Sequence, residues 1–207
     1  MIYEMRFYDS KKDWYREDTQ YILAWETDDE APVNDGKIRG KLLSCLCFDG
    51  PVFEVPDGID TIAEYAFVKP EWDLFESRIK TLVIPASVEK IEEEAFCFTD
   101  ISEIIIHPDS PAGVVIGNGI YTKDEKTLLW VLGTNEKREF TVPDGVERIA
   151  AGVIDDHKVR TFIFPASVKE ICCCEREIYN DKVVIKAPKD SYAEKFAADH
   201  NLKFRKA

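Results

Sequence analysis

The sequence predicts a mainly β solenoid, in which a chain winds into repeated coils that bury their apolar sides against one another. Three observations predict it. One phrase occurs four times: FEVPDGIDTIAEYAF (Phe53 to Phe67), LVIPASVEKIEEEAF (Leu82 to Phe96), FTVPDGVERIAAGVI (Phe140 to Ile154) and FIFPASVKEICCCER (Phe162 to Arg176). Its spacing is nearly constant: Val83 to Ile105 is 22 residues, Thr141 to Ile163 is 22 and Ile163 to Val184 is 21. A fixed period in the twenties marks stacked repeats. The two longer steps, 29 residues from Glu54 to Val83 and 36 from Ile105 to Thr141, are the same period plus insertions. The first insertion carries Lys69-Pro70-Glu71-Trp72-Asp73-Leu74-Phe75.

Residues 1–36 do not fit the repeat. MIYEMRFYDS and Gln20 to Asp29 (QYILAWETDD) are rich in aromatic and branched residues and flank the charged Ser10 to Thr19. They read as a hairpin or small sheet that caps the exposed apolar end of the array, with Trp14, Tyr21 and Trp25 as cap core. Glu30 to Gly36 is a turn, and residues 37–207 form the solenoid. Within one coil, Leu82 and Ile84 alternate as strand residues do and face inward. Pro85 ends the strand because it cannot donate to a ladder. Val88 and Ile91 point back inward on the return, and Ala95 and Phe96 close the far side. In the third phrase Val153-Ile154 replaces the Ala-Phe corner. In the fourth, Glu175-Arg176 replaces it and cannot fill a dry core, so that coil frays or lies under the C-terminal helix. The closing segment, about 188–207, begins with the capping-box pattern Ser191-Tyr192-Ala193-Glu194. It predicts a helix to about His200 that seals the last coil with Tyr192 and Phe196. Asn201 is a left-handed stop, after which Leu202 and Phe204 return as a short strand.

The period falls in the leucine-rich-repeat range. The phrases resemble the BspA-type leucine-rich repeat of bacteria, "L-x-x-I-x-I-P-x-x-V-x-x-I-x-x-x-A-F". Ile79 to Pro85 with Val88, Ile91, Ala95 and Phe96 follow it nearly position for position. The resemblance covers roughly residues 40–207. It extends to Ile116 to Val146, similar to a hairpin insertion of that family, and to Ile185 to Phe204, similar to its closing cap. It implies a solenoid of about five to six coils with short convex turns, a hairpin insertion and a C-terminal capping helix. It also implies an adhesion-type or host-interaction protein, secreted or at the cell surface.

The net charge of −13 opposes binding to a nucleic-acid backbone, which needs Lys and Arg on one face. The run Glu92-Glu93-Glu94 reads as a solvated convex face rather than an acidic docking patch. No stretch approaches a membrane span, so no membrane insertion is expected. The first residues lack a basic stretch followed by an apolar run. With Met1 native, the chain is expected in the cytoplasm; as a trimmed mature form it would be secreted or at the cell surface. Cys45, Cys47, Cys97, Cys172, Cys173 and Cys174 form no spaced disulfide framework, and free thiols in a reducing compartment are expected.

Chemistry is sparse. His107, His157 and His200 lie far apart, and Asp155-Asp156-His157 reads as a turn rather than a metal cluster. Cys45 and Cys47, two apart, would share one strand side, a weak metal signal. The Cys172-Cys173-Cys174 run would hold a nucleophile only with an imidazole nearby, and nothing in the sequence brings His157 to it. No phosphate loop, nucleophile elbow or paired carboxylates appear. The expectation is therefore no enzyme, no cofactor and no metal.

What remains is a surface. With Leu82 and Ile84 inward, Thr81 and Val83 face out on a sheet built from one strand per coil. Two outward columns follow: Val52, Thr81, Glu103, Glu139, Thr161, Lys182; and Glu54, Val83, Ile105, Thr141, Ile163, Val184. Four of six members of the second column are Val or Ile where polar residues are ordinary. Strand propensity alone accounts for branched residues there, as would the hairpin insertion folding over them. The alternative is a strip for a protein or peptide partner, formed by Val83, Ile105, Thr141, Ile163 and Val184 and flanked by Thr81, Glu103, Glu139 and Thr161. The reading is a non-catalytic protein-interaction module, adhesion-type or host-interaction, with an intracellular bacterial scaffold or regulator as the alternative. The sequence does not choose between monomer and dimer.

Overall fold

The computed structural model describes residues 4–8, 13–17, 22–26, 40–46, 50–68, 79–133, 138–154, 159–173 and 182–207. The chain divides into two compact units, Met1–Ala112 and Gly113–Ala207.

In the first unit, β1 (Glu4–Tyr8), β2 (Asp13–Glu17) and β3 (Ile22–Glu26) form an antiparallel meander that pairs onto β4 (Gly40–Leu46). From there each coil supplies two strands. The face strands are β5 (Val52–Glu54), β7 (Thr81–Ile84) and β9 (Glu103–Ile106), and they pair in parallel in that order. The return strands β6 (Ile59–Ile62) and β8 (Lys90–Ile91) extend the sheet of β4 in parallel. The turns expected on the return side therefore carry a ladder of their own. Its pieces are too short for strand alternation to reveal.

The repeat dictates this arrangement. Phe53, Leu82 and Ile104 are buried in register on the face strands, and Ile62 and Ile91 are buried on the return strands. Ala66-Phe67 and Ala95-Phe96 fill the corners, and the Phe67 and Phe96 rings stack at 6.0 Å. The residue before each corner is left-handed: Tyr65 (φ 57°), Glu94 (φ 61°) and, in the second unit, Gly152 (φ 82°). Only the glycine takes that conformation freely. Hydroxyls brace successive coils. The Gly58 N–H donates to Ser87 Oγ at 3.1 Å. Ser110, fully buried, donates to the Val88 carbonyl at 2.6 Å and accepts from the Ala112 N–H at 3.3 Å.

In the second unit, β10 (Val114–Ile116), β11 (Gly119–Tyr121) and β12 (Thr127–Val131) form an antiparallel meander. This is the expected insertion, and its last strand doubles as a return strand. β12 pairs in parallel with β14 (Arg148–Ile149), and β14 with β16 (Glu170–Ile171). The described strands of the insertion thus join the return-side sheet of their unit. The face strands are β13 (Glu139–Thr141), β15 (Thr161–Ile163) and β17 (Val184–Ala187), joined in parallel at the edge by β18 (Lys203–Lys206). The Pro-x-Ser brace recurs: Ser167 Oγ accepts from the Gly145 N–H at 3.1 Å and donates to the Val146 carbonyl at 2.7 Å.

Helix α1 (Tyr192–Asp199) starts where its cap predicts. Ser191 Oγ accepts from the Glu194 N–H at 3.3 Å, and the Glu194 carboxylate accepts from the Asp190 N–H. The helix stops before Asn201, which is left-handed (φ 56°). The expected sealing pair is corrected. Phe196 is buried, but Tyr192 is 41% exposed, and Ala193 and Ala197 take the inner face beside Phe196. Residue 192 sits about 100° around the helix from 193, enough to turn it outward.

Several expectations fall outside the described residues: Tyr21, the 30–36 turn, Cys47, the Lys69–Phe75 insertion, Asp155-Asp156-His157, Cys174 and the Glu175-Arg176 corner. So do the side chains of Trp14 and Trp25.

Candidate functional site

The face strands bear the residues singled out above. In the first unit, Val52 stands opposite Thr81 and Glu103, and Glu54 opposite Val83 and Ile105. Both columns run as the repeat arithmetic lays them out. Val52 is 52% and Ile105 48% exposed, Val83 is half-buried between them, and Glu103 is exposed. Thr81 Oγ1 donates to the Glu103 carboxylate at 2.9 Å, so a polar cross-strand pair runs beside the apolar Val83–Ile105 pair.

The second unit corrects the register. Thr141 and Ile163 align, as do Glu139 and Thr161. Val184, however, stands opposite Thr161, and Lys186 stands opposite Ile163. Lys182 is exposed and precedes β17. The slip is two residues. A one-residue slip would exchange inside and outside, but a two-residue slip preserves the alternation and leaves no trace in the apolar pattern. Val183, Ile185 and Ala187 are all buried, so either register reads the same from sequence. The consequence is chemical. The column Thr141–Ile163 continues into Lys186 and then Arg205 of β18, and the column Glu139–Thr161 continues into Val184 and Lys203. Lys186 Nζ lies 2.9 Å from a Glu139 carboxylate oxygen, spanning β15. Ile163 and Val184 are half-buried beside this ion pair.

Charge is distributed unevenly. Residues 1–112 hold 25 Asp and Glu against 11 Lys and Arg, whereas residues 113–207 hold 15 against 16. The acidity belongs to the first unit. There Glu92 is tied down. Burial raises its carboxyl, but the Lys41 ammonium at 2.8 Å, the Glu64 N–H and the charge of Lys90 together hold it below the usual carboxylate range. Glu64 moves the other way, raised by burial and by its hydrogen bond to and repulsion from Glu94. Tyr65 Oη donates to Glu94 at 2.7 Å. The Glu92-Glu93-Glu94 run thus includes carboxylates that hold neighbouring coils together.

Two features escaped the sequence reading. Phe98 is 73% exposed, with its ring stacked on Tyr65 at 6.4 Å; it follows a corner Phe and reads as more core. His200 Nε2 lies 3.4 Å from Cys173 Sγ, so His200 brings an imidazole to the cysteine run. These residues are 27 apart on separate elements, and no local spacing could announce the pair. Cys45 and Cys97 are buried and Cys172 and Cys173 half-buried, and none of these four is joined in a disulfide. Among the described residues, no three His, Cys, Asp or Glu side chains gather as a metal-ligand set. Among them, too, no helix is long and apolar enough to cross a membrane.

The coil pattern, the two parallel face sheets and the capping helix define a leucine-rich-repeat solenoid that resembles the BspA type. No protein-family model and no curated protein matches the chain. Three solved structures are similar to the chain. A leucine-rich cell surface protein of Faecalibacterium prausnitzii matches 58% of this chain at 24% identity and a TM-score of 0.43. That match spans 37% of its length. A leucine-rich-repeat protein of Eubacterium ventriosum matches 84% of this chain and 71% of its own, at 12% identity and TM-score 0.40. The pneumococcal vaccine antigen PcpA matches 81% of this chain and 66% of its own, at 8% identity and TM-score 0.30.

Proposed function

We propose that the chain is a non-catalytic protein-interaction module that takes a protein or peptide on the outward faces of its strands, in an adhesion-type or host-interaction role. One observation carries this reading. Ile105, with Val83 opposite it and Val52 diagonal to Val83 on β5, is about half exposed on a sheet face where solvated strands ordinarily present polar residues. Thr81 and Glu103 frame this patch. In the second unit, Ile163, Val184, Thr141 and Thr161 lie among the Glu139–Lys186 pair, Lys203 and Arg205. The occupant proposed is therefore a polypeptide with apolar anchors and mixed charge. Nucleic acid is disfavoured by the acidity of the first unit. The placement that goes with this role is secreted or at the cell surface. A second reading, a scaffold or regulator inside the bacterial cell, is favoured by the cysteine spacing, which offers no disulfide framework.

The test is affinity capture with the intact chain beside Ile105→Glu and Ile163→Glu, exposed separately to lysate of the producing cell and to extracellular host proteins. Ile105→Glu should fold with a Tm within about 2 °C of the parent, as exposed substitutions do. Ile105→Glu should lose the partner that the parent retains, and the pool yielding that partner separates the two readings. Equal capture by parent and variants would refute the face as the contact surface.

A further inference from the structure

We propose that Cys173 is a nucleophilic thiol, activated by His200, that exchanges with low-molecular-weight disulfides and carries the resulting mixed disulfide as a modification. The geometry fixes the protonation pattern needed. His200 Nδ1 lies 3.0 Å from the Phe196 carbonyl oxygen. A carbonyl only accepts, so Nδ1 carries the hydrogen and Nε2 presents its lone pair. Nε2 is the atom 3.4 Å from Cys173 Sγ. The ring is held in this orientation by stacking on Phe196, with centroids 4.2 Å apart. His200 is also the C-cap of α1. The nucleophile, the base and the group that orients the base are all present.

The fold does not require cysteine here. In the four repeats, Cys173 occupies the position of Glu64, Glu93 and Ala151, and Cys172 that of Ala63, Glu92 and Ala150. The backbone is served identically in each coil: the N–H groups of Ala63, Glu92, Ala150 and Cys172 donate to Leu42, Ile62, Leu128 and Ile149 carbonyls. Packing at this position accepts alanine or glutamate, so neither thiol fills a cavity that needs sulfur. Cys172 is engaged differently from its neighbour. Arg148 Nη2 donates to its Sγ at 3.0 Å while Arg148 Nε pairs with Glu170 at 3.3 Å. Cys173 is half-buried and His200 exposed, so a small disulfide can reach both.

The step balances. Cys173 Sγ–H transfers its proton to His200 Nε2, and the thiolate attacks one sulfur of R–S–S–R. The Cys173–S–S–R bond forms as the reagent's S–S bond breaks. The departing RS⁻ takes the proton from the imidazolium and leaves as RSH. No oxidant beyond the disulfide is consumed.

The test treats the reduced, full-length protein with oxidised glutathione at neutral pH and follows each cysteine by peptide mass spectrometry. Cys173 should be modified first, with Cys45 and Cys97 silent until the protein is unfolded. His200→Gly should slow Cys173 by roughly a hundredfold or more, the lower edge of what a positioned base contributes, and free imidazole should restore the rate. Because a glycine C-cap can loosen the helix, His200→Gln is the second variant, and it should be equally slow at unchanged Tm. In the parent, modification falling first on any other cysteine overturns the proposal. So does a His200→Gln rate equal to that of the parent.

Discussion

Ser110→Ala is the sharpest probe of how the coils are held together. Ser110 is fully buried and sits between coils, giving its hydroxyl hydrogen to the Val88 carbonyl at 2.6 Å and accepting the Ala112 N–H at 3.3 Å. Alanine fits the space but leaves a buried carbonyl and a buried N–H without those partners. A buried group left unsatisfied costs about 1–3 kcal/mol. The 2.6 Å bond should dominate, and the longer one should add a fraction, for a total of about 2–3 kcal/mol. In a chain of this length each kcal/mol moves Tm by roughly 2–4 °C, so a drop of about 4–12 °C is expected by circular dichroism. Ser102→Ala is the control. Its hydroxyl also reaches a carbonyl, that of Lys80 at 3.2 Å, but it is exposed, and the same carbonyl accepts the N–H groups of Ser102 and Glu103. Its loss orphans nothing and should stay within about 0.5 kcal/mol. A Ser110→Ala protein as stable as Ser102→Ala would refute the view that buried hydroxyl braces, rather than apolar stacking alone, hold this turn.

Glu92 has a lowered carboxyl, so its contribution is present above its ordinary value of 4.5 and is lost as pH falls through the lowered one. Glu92→Gln should therefore cost about 0.5–1 kcal/mol at pH 7, with the gap from the parent closing in acid; a pH-independent gap in urea titrations would contradict this. Burial pushes the Tyr121 phenol up to about 12, so its stabilising effect is intact below pH 10 and is lost as pH rises toward 12. Relative to Tyr121→Phe, the parent should lose about 1.4 kcal/mol between pH 8 and pH 11, and parallel pH profiles would exclude it. At Gly119 an added Cβ would lie 2.5 Å from the Tyr121 hydroxyl oxygen. Gly119→Ala should cost about 1–3 kcal/mol by overpacking, and a neutral result would mean the ring has room to move.

The sequence exposed the coil and concealed its register at one step. Leu82, Ile84, Pro85, Val88, Ile91 and Phe96 each announce their place because strand alternation, a missing N–H and a corner ring have separate signatures. The cap of α1 was legible because Ser191 and Glu194 act within four residues. Lys186 could not be distinguished from Val184 as the neighbour of Ile163, because alternation is blind to a two-residue slip. The meeting of Cys173 with His200 and the exposure of Tyr192 depend on where the helix lands against β16, β17 and β18, a tertiary fact with no local signature. The left-handed stop at Asn201 was legible, whereas Tyr65 and Glu94 carry their strain without a glycine or asparagine to mark it.

A repeat separates what a position needs from what it has. Where the coils agree, at the buried Phe53–Leu82–Ile104 and Phe140–Phe162–Ile185 rows, the residue serves the fold and says nothing more. Where one coil departs from its equivalents at no demand of packing, the departure needs another reason. Cys173 is such a departure, standing where glutamate and alanine serve the other coils. Ile105 shares the branched character of Val83 and Ile163, yet Glu54 opens the same column, so glutamate is acceptable to the strand where isoleucine stands half in water. The two lie in different units, Ile105 on β9 and Cys173 just past β16. Charging the face at Ile105 should therefore leave the thiol's reactivity untouched, and blocking the thiol should leave the first-unit face intact.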